Sequence, residues 1–292
     1  MKTLITFYTQ SSMESLSPFV DGFIVGHQTF GTRLTHSFST SEIHEITRQT
    51  KNLNKELFFM ANQMMTDDHL THFSNWLSEF SIDDFTGIIC ADLGVVKKLT
   101  TMGWANKVVY NPETLMTNYY DFNFFNRLNI MGVYVAKEIT LDDIKKIGEK
   151  KTLKLFMVGH GHLNMFYSKR QLIKNFAAYI DIPDEFHEQQ NLRIVEETRE
   201  GIEYPILEDQ AGTHVFRANV FATLEDLDVL HSLVDYLMLD TLFKDDAYGL
   251  RIAKAYHQND VHIKVDLERD YHETWDQGFF FKKTIYKGKI SE

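Results

Sequence analysis

Short apolar runs rich in β-branched and aromatic residues recur at 4–8, 22–25, 57–61, 87–91, 107–110, 132–136, 153–158 and 234–239. Each has the length of a strand, and nearly continuous apolar character is what a strand buried on both faces requires. Amphipathic stretches follow several of them. At 42–48, Ile43 and Ile46 come after Ser39-Thr40-Ser41, residues that start helices well. The stretch 69–77 opens behind Asp67-Asp68, and 140–147 places Asp142 and Asp143 ahead of Lys145 and Lys146, the order a helix dipole favours.

Alternating strands and helices imply a parallel sheet with covering helices. Eight such units predict a closed (β/α)8 TIM-like barrel spanning 1–292 as a single domain. No Gly-rich dinucleotide fingerprint follows the first run, which argues against an open doubly wound sheet. The alternation lapses at 182–217, where 192–197, 202–207 and 213–217 read as strands joined by Arg199-Glu200-Gly201 and Gln210-Ala211-Gly212 turns. A small β insertion between the seventh and eighth units is expected there. Beyond a last helix at 245–257, the region 271–292 carries Trp275, Phe279, Phe280 and Phe281 and predicts an aromatic strand or tail.

Composition narrows the function classes. The chain is 43% hydrophobic and 24% charged, ordinary for a soluble domain. No run approaches the roughly 20 apolar residues of a membrane-spanning helix, and the apolar part of the N-terminus is too short for a signal peptide. A soluble, cytoplasmic protein without a membrane partner is expected. The 41 acidic and 30 basic residues leave a net charge of -11, which disfavours DNA and any broad nucleic-acid surface. The single cysteine, Cys90, permits no intrachain disulfide and no multi-cysteine metal site, and its apolar run reads as a buried strand.

A barrel works at the C-terminal ends of its strands. The pattern places Asn62, Asp92, Asn111, Glu138 and the segment His160 to Arg170 there, together with the glycine-flanked loop that ends at Arg33. His160, His162, Glu138 and Asp92 are the candidate acid–base residues, because imidazole and carboxylate are the usual proton carriers. Arg33 and Arg170 are candidates for gripping an anion bidentately. Asn62, Asn111, Asn164 and Tyr167 supply further polar contacts for a substrate. Two histidines with one imagined third ligand do not make a convincing metal centre, and none is expected. Ser168 reads as a helix cap rather than a nucleophile, since no Gly-x-Ser-x-Gly elbow surrounds it.

The segment His160-Gly161-His162-Leu163-Asn164-Met165-Phe166-Tyr167-Ser168-Lys169-Arg170-Gln171 reads as a strand end, a loop and a helix. It resembles the signature His-Gly-Ala-x-Cys-x-x-Tyr-Ser-Gly-x-Cys of the collagenase-like peptidase family, U32. Phe30-Gly31-Thr32-Arg33, Ala91-Asp92-Leu93-Gly94, Ala136-Lys137-Glu138-Ile139 and Tyr204-Pro205-Ile206 resemble further segments of that family. Asn164 and Gln171 stand where the signature has cysteines, and amides do not replace cluster-binding thiolates. Better-defined members of the family hydroxylate pyrimidines in RNA, so the resemblance implies a cluster-less subunit of a tRNA wobble-uridine hydroxylation complex forming 5-hydroxyuridine. It implies no cofactor held by this chain alone. An iron–sulfur cluster is expected only in a longer, cysteine-bearing partner of the same family, through which tRNA would be bound. The alternatives are a collagenase-like peptidase and a non-catalytic binding or scaffold barrel.

Overall fold

The structure, a computed structural model, describes residues 1–282. Eight parallel strands close a barrel. They are β1 (Lys2–Thr6), β2 (Gly22–Gly26), β3 (Glu56–Ala61), β4 (Gly87–Cys90), β5 (Val108–Tyr110), β6 (Gly132–Tyr134), β7 (Lys154–Gly161) and, after an insertion, β13 (Tyr236–Leu239). Strand β13 lies between β7 and β1, pairing Tyr236 with Phe156 on one side and Leu237 with Thr3 on the other.

Alternation along the strands divides the apolar residues into two layers. Leu4, Ile24, Phe58, Ile89, Val109, Tyr134, Phe156 and Tyr236 fill the barrel. Their neighbours, among them Ile5, Phe23, Phe59, Ile88 and Leu155, join the larger core shared with the helices. Phe156 stacks on Tyr236 at 4.4 Å and meets Phe58 edge-on at 5.8 Å, so rings fill the barrel's interior.

The expected helices are present and capped as their sequences suggest. Ser39 and Glu42 form a reciprocal capping box on Thr40–Asn52. Thr66 caps Asp67–Leu77, Thr140 caps Leu141–Lys150 and Asp245 caps Asp246–Gln258. Cys90 is fully buried in β4, and burial pushes its thiol well above the ordinary range.

The insertion is larger than the sequence reading of 182–217. A four-stranded antiparallel sheet has the order β8 (Asn164–Ser168), β11 (Gly212–Phe216), β10 (Glu203–Asp209), β9 (Arg193–Val195). The second half of the signature is therefore strand, not loop, and the helix begins after it, at Leu172–Tyr179. Ser168 does not cap that helix. Glu208 accepts from the Ile173 and Lys174 amides at 2.8 and 2.9 Å, and Thr213 accepts from Leu172 at 2.9 Å. These caps sit about forty positions downstream of the helix they serve, beyond the reach of a local pattern.

A short strand β12 (Val220–Ala222) runs antiparallel to the end of β7, and β14 (Trp275–Asp276) pairs with it. Of the C-terminal aromatic residues, Trp275 lies in this two-residue strand, whereas Phe279, Phe280 and Phe281 lie in the turn that follows, with Phe280 buried against Phe221. The part of 271–292 beyond Lys282 lies outside the described residues. No helix among the described residues is long and apolar enough to cross a membrane.

Candidate functional site

A cavity of about 90 Å³ opens at the C-terminal mouth of the barrel, lined by residues from β1, β2, β6, β7 and β13 and by the loops that follow them. Its polar rim is organised by Arg33 and Glu113. Both hold left-handed backbone conformations, at φ 55° and 65°, that β-carbon-bearing residues adopt at a cost. Each is locked by a hydrogen bond to its own amide. Asp209 of the inserted sheet accepts from Arg33 N at 2.9 Å, and Asn111 Oδ1 accepts from Glu113 N at 3.2 Å. The Arg33 guanidinium pairs with Glu113 Oε1, while Lys137 Nζ reaches Glu113 Oε2 at 2.9 Å. Burial alone would raise the Glu113 carboxyl, but Arg33 and Lys137 together outweigh it and hold it below the usual range. The same burial lowers Lys137 despite its carboxylate partner.

The inserted sheet completes this rim. His214 is fully buried on β11 and stacks flat on Tyr167 of β8, with ring centres 4.7 Å apart. Its Nε2 lies 2.9 Å from Thr32 Oγ1 and 3.5 Å from Asp209 Oδ1, and its Nδ1 lies 3.4 Å from Arg33. Burial lowers His214 below its ordinary range, with Asp209 opposing the shift. Asp209 stays below the carboxylate range, because its bonds from His214, Arg33 and Thr32 overcome its own burial. Asn62 clamps Thr32 through both backbone groups, at 2.9 and 3.2 Å.

On the barrel side, Asp240 follows β13 and lines the same cavity. Burial raises its carboxyl to about 6, against the opposing bonds from the Leu242 amide, Thr35 and Thr6. His162 also lines the cavity, and its Nδ1 lies 2.8 Å from the Arg217 carbonyl. A carbonyl only accepts, so Nδ1 carries the proton and Nε2 the lone pair. Burial, with Lys244 nearby, lowers His162 to about 4 and keeps it neutral.

The sequence candidates therefore separate. Arg33, Asn62, Asn111, His162 and Asn164 line the mouth, and Tyr167 supports it through His214. Four others lie elsewhere. His160 shares a strand face with Phe156 and Val158 by simple alternation, but the β7–β13 register slips between Met238 and Leu239. This bulge turns His160 away from the cavity. The ring is instead fully buried, with Nε2 2.7 Å from Tyr248 Oη and its edge against Trp275. Asp92 caps Leu93–Thr101 with one oxygen and accepts from Met65 N with the other, at 2.6 and 3.1 Å. Glu138 is exposed beyond β6, and Arg170 is exposed beside the insertion helix. Glu113, Asp209, His214 and Asp240 escaped the sequence reading. Of these, only Asp240 had a local signal, as the first polar residue after the eighth apolar run.

The donor set does not fit a thiolate-held cluster. Asn164 Nδ2 donates to the Phe166 and Val215 carbonyls at 2.9 and 3.3 Å, and Gln171 Nε2 donates to the Asp209 carbonyl at 2.8 Å. Both amides thus tie the inserted sheet together through bonds a thiolate has no protons to make.

Residues 11–284 match the sequence pattern of peptidase family U32. Over 98% of its length the chain is 24% identical to "tRNA hydroxylation protein P2" of Bacillus subtilis (strain 168), all of which is covered. It is 20% identical to "tRNA hydroxylation protein P1" of the same organism, over 55% of this chain and 38% of that one. The solved structure of a U32 peptidase superposes with a TM-score of 0.51 at 16% identity, covering 82% of this chain and 92% of that one. The chain belongs to peptidase family U32.

Proposed function

We propose that this protein is a cluster-less subunit of a tRNA hydroxylation complex, acting in the formation of 5-hydroxyuridine at the wobble position. The observation that carries this reading is the end-to-end similarity to the P2 protein, set against a match to little more than a third of P1. The partner in this reading is a longer family member that supplies cysteines, the iron–sulfur cluster and the surface on which tRNA binds. Two features support that division of labour. Amides occupy the two signature positions where thiolates would stand, and the net charge of -11 is poorly suited to gripping a phosphate backbone unaided. The setting of such a complex is the cytoplasm, where tRNA is modified.

The test is nucleoside mass spectrometry of bulk tRNA from cells with and without the gene, in a background lacking other uridine hydroxylases. Loss of 5-hydroxyuridine and its derivatives on deletion is expected, with recovery on re-expression. An unchanged profile in that background would refute the reading.

A further inference from the structure

The barrel mouth holds hydrogen-bonding groups that the protein leaves open in two neighbouring pairs along the rim of one small cavity, after β13 and β7 and after β6 and β5. The first pair are acceptors. All three bonds to the Asp240 carboxyl, from Thr6 and Thr35 at 3.4 Å and from the Leu242 amide at 3.1 Å, fall on Oδ1. None among the described residues falls on Oδ2. His162 spends its one proton on Arg217 and retains a lone pair on Nε2. The second pair are donors. Asn111 uses its Oδ1 on Glu113 N, and its Nδ2 has no acceptor among the described residues. Lys137 Nζ, with three protons, bonds Glu113 Oε2. Asp240, His162, Asn111 and Lys137 all line this cavity.

The signature dipeptide explains how the carboxyl comes to be there. The Asp240 amide donates to the His160 carbonyl at 2.9 Å. Gly161 adopts φ 128°, and a β-carbon at that position would lie 2.7 Å from the Asp240 carbonyl oxygen and 2.9 Å from its Cβ. His160 is anchored behind the strand by Tyr248, so the His-Gly pair fixes the backbone and leaves the room that Asp240 occupies.

We propose that the barrel mouth binds a small polar group that carries an N–H or O–H donor beside a carbonyl or carboxylate oxygen. The donor goes to Asp240 and His162 and the oxygen to Asn111 and Lys137, with Gly161 as the positioning residue for Asp240. Such a group belongs either to the imide edge of a pyrimidine nucleotide or to a free metabolite. With a free metabolite as ligand the inference is independent of the tRNA reading; with the nucleotide edge it rests on that reading.

The experiment uses the full-length chain in two arms. In one, the purified protein is denatured and the released small molecules are identified by mass spectrometry. In the other, uridine 5′-monophosphate is titrated in and binding is followed calorimetrically. Ligand in the first arm alone identifies a metabolite, and saturable binding in the second identifies the nucleotide edge. In either case Asp240→Asn is expected to weaken occupancy at least about tenfold, the usual cost of removing a hydrogen bond to a charged group. Gly161→Ala is expected to do the same by displacing Asp240. Should Asp240→Asn fail to fold, Asn111→Ala tests the donor groups of the cavity by the same criterion. Two blank arms with the wild-type protein, or unchanged binding by a folded Asp240→Asn variant, would overturn the proposal. Because both arms read the purified protein, that failure is separate from an unchanged tRNA profile.

Discussion

In the barrel strand Glu56–Ala61 five of six residues are buried, whereas in the inserted strand Arg193–Val195 all three are exposed. The contrast extends to the helices. Asp246–Gln258 buries six residues, including Tyr248, Ile252 and Tyr256. Leu172–Tyr179 buries Ala177 alone and leaves Phe176 and Tyr179 60% and 86% exposed. Stability in the barrel comes from apolar surface removed on both faces of a closed sheet. In the insertion it comes from a few polar residues, chiefly Glu208 and Thr213, that satisfy backbone groups. The mouth is built where these two kinds of structure meet, its ion pairs from barrel loops and its His214 and Asp209 from the inserted sheet.

The comparison breaks most visibly in the barrel's interior. Phe156→Ala removes the ring that stacks on Tyr236 and leans on Tyr134 and is expected to cost about 3–5 kcal/mol in urea unfolding. Glu208→Ala leaves the first-turn amides of Ile173 and Lys174 without their cap and should cost about 0.5–2 kcal/mol. Its effect should be local: hydrogen exchange should lose protection at 172–179 and keep it at Phe58 and Phe59. Loss of protection in both regions would show that barrel and insertion open together.

Acid should separate the regions further. His160 and His162 are held below the ordinary range in the native state but titrate normally once unfolded. The unfolded chain therefore binds more protons as pH falls through about 6.5, and stability drops from there towards about 4. Asp240, raised to about 6, acts in the opposite sense, binding its proton earlier in the native state. His162→Gln should flatten the acid side of the stability curve, and Asp240→Asn should steepen it between about 4 and 6. The smallest effect is expected on the exposed face of the insertion. Tyr179→Ser should move stability by no more than about 0.5 kcal/mol, and a larger loss would mean that the ring is covered in solution.

The barrel could be read from the sequence because its physics is local. The runs around Ile24, Phe58 and Ile89 are strand-length and apolar on both faces, and Ser39, Thr66 and Thr140 mark helix starts within a turn of the residues they cap. The mouth was legible only in part. Asn62 and Asn111 follow strands directly, and Arg33 ends the glycine-flanked loop after the second strand, so position marks all three. Glu113 meets Arg33 across 80 residues, and His214 lies in a strand whose sequence discloses nothing of Thr32 or Tyr167. His160 misled because alternation predicts its side correctly only in a regular strand, and the bulge at Gly159 breaks the count. Asp240 is the polar residue that follows the eighth apolar run, and nothing else in the sequence around it marks it.

The place of β13 in the sheet has a consequence for how the chain is made. Strand β7 ends at Gly161 and its barrel neighbour begins at Tyr236, so the inserted sheet is synthesised before the closing strand. Until then the edges of β1 and β7 that β13 will occupy remain open, and open strand edges invite pairing with other chains. Closure also joins β1 to a partner more than 230 residues away, among the most entropically demanding contacts the fold makes. The barrel is thus an assembly whose last stave arrives late, and the interval before it is when a nascent chain is most exposed to aggregation or to a chaperone.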